Sequence, residues 1–215
     1  MLVLGGYGGG APLGASDRHK VGGVGVEVEK STADYTIARS DKLTFATSRT
    51  KTNYAMMTLD TNKEVYDILN NAIKDMKDDG TLDSLVENEL NAYINSDPAV
   101  KELPVFENAD TIYIGVTGDV PPMDFVASNG KAAGFNVALL TEIANRAKVN
   151  FELIQIETGA RPMALSTNKV DAVFWTKSIT CTECNETWSE EIQGTIATEI
   201  YYSADSGALY QNSEK

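Results

Sequence analysis

One histidine and two cysteines are all that this 215-residue chain offers as soft metal ligands or imidazole bases. The histidine, His19, lies in a glycine-rich N-terminal stretch, so a His-centred catalytic triad has little to be built on. Structural zinc takes about four N or S ligands, and Cys181 and Cys184 lie far from His19 in sequence. Basic residues are also scarce: 18 Lys and Arg stand against 31 Asp and Glu, for a formal net charge of -13. Nucleic acid binding needs clustered Lys and Arg to release counterions, so no nucleic acid partner is expected. The same acidity repels anionic lipid. No run approaches the roughly 20 apolar residues of a membrane helix, which argues against direct membrane insertion. Met1 to Lys20 lacks a basic region followed by an apolar stretch and does not read as a signal peptide. Its glycines (Gly5, Gly6, Gly8, Gly9, Gly10) have no following Lys-Ser/Thr and helix, so they read as a flexible tail over 1–22 and not as a phosphate loop.

What is present is ordinary globular composition, 42% hydrophobic and 23% charged, enough for one good core or two small ones. The Cys181-x-x-Cys184 spacing reads first as a local disulfide closing a small loop, which implies an oxidising compartment. A redox pair remains the alternative, although such pairs usually sit at a helix N-terminus.

Val24 to Val28 alternates as a short strand, Ser31 to Ala38 suits a short helix, and Leu43–Thr47 and Tyr54–Leu59 read as two strands joined by a polar connection. Val65, Ile68, Leu69, Ala72, Ile73 and Met76 form one apolar helical stripe. Thr61 and Glu64 supply a capping box and Gly80 the stop. Thr81 opens a further helix burying Leu82, Leu85 and Leu90. Asn95 to Asn108, with Pro98 and Pro104, reads as a linker. Beyond it come a strand over Thr111–Thr117, a helix capped by Asn136, a strand over Phe151–Ile156, a short helix over Pro162–Thr167 and a strand over Val170–Thr176. Strands alternating with helices predict a parallel α/β layer.

Ile114-Gly115-Val116, Pro121-Pro122, Asn129-Gly130-Lys131, Gly134-Phe135-Asn136, Leu165 and Lys169-Val170-Asp171-Ala172, continued by Ser178-Ile179-Thr180 and Thr198–Ser203, resemble the first lobe of periplasmic solute-binding proteins of the polar amino-acid type (family 3), which serve ABC importers. Glu29–Tyr35, Tyr54–Leu59 and the helix ending Lys77-Asp78-Asp79-Gly80-Thr81-Leu82 resemble the end of such a protein, so the end precedes the beginning. The resemblance implies a type II periplasmic-binding fold: a three-layer parallel-sheet α/β lobe with an incomplete second lobe, either permuted or spanning two tandem units. The expected organisation is a partial second lobe with C-terminal-type helices over 23–95, a linker over 96–109 and the first-lobe-like domain over 110–215. Val65–Leu90 is expected to dock on the sheet of residues 111–210.

Ligands of parallel α/β sheets sit at the C-terminal ends of strands, where loops converge. Here those loops are Thr117–Met123 and Trp175–Thr180. The resemblance implies a ligand set of Thr117, Val120, Trp175, Thr176, Ser178 and Glu183, with Glu29 as the amine-binding acid; Asp119, Met123 and Lys177 belong to the same loops. Asp119 and Asp124 also read as solvated turn carboxylates. Two positions depart from the family pattern. Glu183, or in a shifted register Cys184 or Asn185, stands where the family has the arginine that grips an α-carboxylate, a charge-assisted contact contributing roughly 1.5–3 kcal/mol per bond. Val120 stands where an aromatic often stacks. Lys177 is a partial substitute, without the guanidinium fork.

The resemblance therefore implies a non-catalytic module that binds a small polar solute by lobe closure, needs no cofactor and partners an ABC permease in the periplasm or outside the cell. The alternative is a single-lobe sensory or protein-interaction domain without a transport role.

Overall fold

A computed structural model describes residues 25–96 and 100–212. The glycine-rich tail with His19, and Pro98 of the linker, lie outside the described residues.

The first strand, β1 (Val26–Glu29), runs straight into helix α1 (Lys30–Ile37). Next comes β2 (Leu43–Leu59), a single strand of 17 residues where two strands with a polar connection were expected. The polar stretch stays extended because its second half, Lys51–Asn53, is paired on both sides. Thr50 to Thr58 pair with one neighbour and Leu43 to Tyr54 with the other. Its side chains are also satisfied across strands. The Asn53 amide donates to the Ser178 and Thr180 hydroxyls at 3.1 and 3.0 Å, and its oxygen accepts from Ser203 at 2.7 Å.

Helix α2 (Lys63–Asp78) follows the apolar stripe, burying Val65, Leu69, Ala72, Ile73 and Met76. Its cap is Asn62, not Thr61: the Asn62 side chain accepts from the Val65 N–H at 3.4 Å. Gly80, at φ +78°, provides the left-handed stop that a residue with a Cβ adopts only with strain. After it, α3 (Thr81–Leu85), one π-helical turn (Val86–Leu90) and α4 (Asn91–Asn95) continue almost without a break.

The second half opens with β3 (Thr111–Val116). A small antiparallel sheet follows, made of β4 (Asp119–Val120), β5 (Asp124–Val126) and β6 (Ala132–Ala133). Then come α5 (Phe135–Ala147), β7 (Asn150–Gln155), α6 (Arg161–Ser166) and β8 (Ala172–Cys181). Three further strands complete the chain: β9 (Thr187–Trp188), β10 (Thr195–Ala197) and β11 (Tyr202–Gln211). Asn136 does not cap α5. Gly134, at φ +113°, holds that position, and the Phe135 and Asn136 N–H groups donate to the carbonyls of Pro122 and Met123.

The main sheet runs β1-β11-β2-β8-β3-β7, with β9 added to β8 and β10 to β2. Only β7, β3 and β8 are mutually parallel; the remaining pairs are antiparallel. The sheet is therefore mixed, and its parallel part is the three-strand layer read from the sequence. The stretches 23–95 and 110–215 share this sheet, because β2 lies between β8 and β11.

Successive strand residues face opposite sides, and the two sides carry separate cores. On one, Met56 of β2, Ile112, Ile114 and Val116 of β3 and Phe174 of β8 pack against Leu69, Ile73 and Met76 of α2 and Leu139, Leu140 and Ile143 of α5. On the other, Met57, Val173, Ile156 and Val170 pack with Ala164 and Leu165 of α6. The α/β class and three layers follow directly.

One polar clamp ties the two halves. Arg146 of α5 donates to Asp79 at 2.8 Å, to the Thr81 hydroxyl at 2.8 Å and to Glu142 at 2.7 Å. Hydrogen bonding from Thr81, then from Arg146, lowers the Asp79 carboxyl from 3.8 to about 2. A carboxyl lowered on folding stabilises above its unfolded pKa, and that contribution is lost as pH falls through the folded one. The melting temperature of Asp79→Asn should lie below that of the parent by a nearly constant margin above about pH 5, and the margin should shrink as pH falls through about 2. A margin unchanged at pH 2, measured by thermal melts, would refute the clamp.

Candidate functional site

The C-terminal edge of the parallel layer is built by the ends of β3 and β8. Gly115 and Val173 pair in register, so Thr117 and Trp175, each two residues further on, leave the layer at the same height. Yet the predicted residues do not form one constellation. Val120 and Met123 turn to the α2/α5 core, Met123 being only 4% exposed. Trp175 packs with the opposite core. Alternation along the strands decides this, since Phe174 already occupies the α2/α5 side.

The Thr117–Met123 loop is organised by Asp124, which is 5% exposed and so not the solvated turn carboxylate expected. It accepts from the Thr117 hydroxyl at 2.9 Å, the Gly118 N–H at 2.6 Å and, at 3.4 Å, the Asn136 amide. Asn136 in turn accepts from the Tyr201 hydroxyl at 3.2 Å. Thr117 is buried in this network, and Gln155 at the end of β7 donates to its carbonyl at 3.0 Å. Asp119 is exposed on β4. The N–H groups at the start of α5 are held by Pro122 and Met123, so that helix terminus presents no free donor from Phe135 or Asn136.

Strand β8 runs five residues past the expected end at Thr176, to Cys181, pairing with β2 throughout. Thr176 lies opposite Tyr54, and Ser178 lies opposite Asn53 and accepts from it. Glu183 is thereby carried to the tip of the β8–β9 hairpin, where it is exposed and ion-paired with Arg49 at 3.0 Å. It lies in the turn beyond Cys181, the last residue of β8, and so past the strand that carries Lys177. Cys181 and Cys184 form the disulfide that closes this turn. Thr187 and Trp188 form strand β9. Glu29 ends β1 opposite Ser206, on the far edge of the sheet.

Trp175 and Lys177 remain together. They line a groove of about 460 Å³ with Met57 and residues 189–197. Its apolar side chains are Trp175, Met57 and Ile192, and the exposed Glu190 and Glu191 also line it. The Lys177 ammonium donates to the Thr198 carbonyl at 2.7 Å. The indole Nε1 of Trp175 is buried without a hydrogen-bond partner among the described residues. Sequence reading missed Met57, Ile192, Glu190 and Glu191. The segment 189–197 has no regular periodicity, and it reaches the groove only because β10 pairs with β2.

A second groove, of about 380 Å³, lies between Lys77, Leu82, Asp83 and Val86 and the Ile200–Ser203 segment. Lys77 there is ion-paired with Glu199 at 3.1 Å, which lowers the Glu199 carboxyl. Burial raises the Tyr202 phenol. Stacking of Tyr202 on Tyr54 and its contact with Phe135 make it part of the core packing.

Residues 112–208 match the family described as bacterial extracellular solute-binding proteins, family 3. A curated relative, the probable ABC transporter arginine-binding protein ArtJ of Chlamydia trachomatis serovar D, is 28% identical over 79 residues, 37% of this chain and 31% of its own. The chain thus spans about a third of that relative's length. Among solved structures, domain 1 of the arginine-bound TmArgBP is 33% identical over 29% of this chain and 50% of its own, with a TM-score of 0.28. The L-cystine solute receptor of Neisseria gonorrhoeae is 23% identical over 31% of this chain and 28% of its own, with a TM-score of 0.30.

Proposed function

We propose, from the match of residues 112–208 to the family 3 extracellular solute-binding proteins, that this chain contributes a solute-contacting lobe to an ABC importer of small polar solutes, amino acids or related compounds. The observation that carries the reading is the groove holding Trp175 and Lys177, on β8 just past the point where its parallel pairing with β3 ends. All of its lining except Met57 falls inside the matched segment. Trp175 supplies an apolar wall and Lys177 a positive charge already braced by Thr198. In the importer cycle a second lobe closes over the solute, and the permease recognises the closed form. A periplasmic or extracellular setting accords with the Cys181–Cys184 disulfide.

Thermal shift and calorimetry against amino acids, amines and small carboxylates test the site. A true ligand stabilises by RT ln(1 + [L]/Kd), about 2.7 kcal/mol at a hundredfold excess over Kd. Trp175→Ala should abolish the shift while leaving the fold cooperative. Unchanged melting temperatures across the panel would overturn the binding reading and favour a sensory or protein-interaction domain. Glu183, turned into an exposed ion pair with Arg49 instead of holding a carboxylate, is the observation that would then weigh for that alternative.

A further inference from the structure

Resting on the binding reading above, we infer that the Trp175 groove selects a protonated amine with an apolar body and no free α-carboxylate, in preference to the parent amino acid. The lining carries two carboxylates, Glu190 and Glu191, against one ammonium, Lys177. That ammonium is turned to the Thr198 carbonyl. Neither glutamate pairs with a cation among the described residues, and both are exposed at the rim. The groove is therefore net negative by one charge at neutral pH.

The apolar part suits the same ligand. The Trp175 indole lines the groove, where its π-system attracts an ammonium, and Ile192 with the buried Met57 behind it gives apolar surface for a methylene chain. Among the described residues no guanidinium lines the groove: Arg49 lies at the hairpin tip with Glu183, and Arg146 is engaged with Asp79, Thr81 and Glu142. A zwitterion entering the groove would set its carboxylate beside Glu190 and Glu191, with only an engaged lysine to compensate. Decarboxylation of an amino acid removes that conflict and keeps the cation.

Isothermal titration at low salt with two matched pairs, cadaverine against lysine and agmatine against arginine, reads the preference directly. Each amine should bind roughly tenfold more tightly than its amino acid, the size of one cation–π or rim charge contact. The double variant Glu190→Gln/Glu191→Gln, both on the exposed rim, should fold normally and lose most of that ratio. Raising the salt to 0.5 M should narrow it in the parent protein. If the amino acids bind as tightly as the amines or more so, the selectivity inference is overturned while the solute-binding function stands. If the ratio survives the double variant, the glutamates are not its source and the inference also fails. If neither class binds, the binding reading falls with it.

Discussion

Residues 100–212 expressed alone should fail to fold cooperatively, although they contain the whole family-matched segment. The reason is β2, which comes from the first half and occupies the middle of the sheet between β8 and β11. Without it, Ala172 to Cys181 and Tyr202 to Gln211 each lose a ladder of backbone hydrogen bonds. The helix layer goes too. Leu69, Ile73 and Met76 of α2 are fully buried against Ile114, Phe174, Leu139 and Leu140. Emptying a site of that kind costs about 2–5 kcal/mol per side chain. Three such losses match or exceed the roughly 5–15 kcal/mol by which domains are stable. Circular dichroism and thermal melts of 100–212 beside the full chain make the comparison. A cooperative melt within a few degrees of the parent would show that the two halves are independent.

Asp124→Ala should be the most damaging single change near the candidate site, costing about 3–5 kcal/mol in urea unfolding. The buried carboxylate accepts from Thr117, Gly118 and Asn136, and each orphaned buried donor costs roughly 1–3 kcal/mol. Asp124→Asn keeps an acceptor and should cost about half as much. Asp119→Ala, on the exposed face of β4, should stay within about 0.5 kcal/mol. The contrast separates the two carboxylates, which the sequence treats alike. A loss below about 1 kcal/mol for Asp124→Ala would mean that the network does not hold the loop.

Short-range signals carried well where one face of an element had to be buried. The α2 stripe, the Gly80 stop and the β3-α5-β7-α6-β8 alternation could all be read from residues a few positions apart. Boundaries failed where a distant partner satisfied the backbone. The polar stretch Ser48–Asn53 reads as a connection alone and becomes strand because Lys51–Asn53 pair on both sides. Strand β8 overran Thr176 for the same reason, which displaced Glu183 from the position that the resemblance assigned to it.

The sequence by itself showed the likeness of the second half to the family 3 solute-binding proteins, the acidic character and the choice of Trp175 and Lys177 as candidate site residues. Only the tertiary structure decided that Val120 and Met123 face one core while Trp175 faces the other, and that Met57 and the 189–197 segment complete a groove with it. The physical reason is that the side taken by each residue depends on strand register and on which distant strand pairs with it. Local pattern specifies an element, but hydrogen bonding across some 140 residues, from Met57 to Ala197, sets what that element faces.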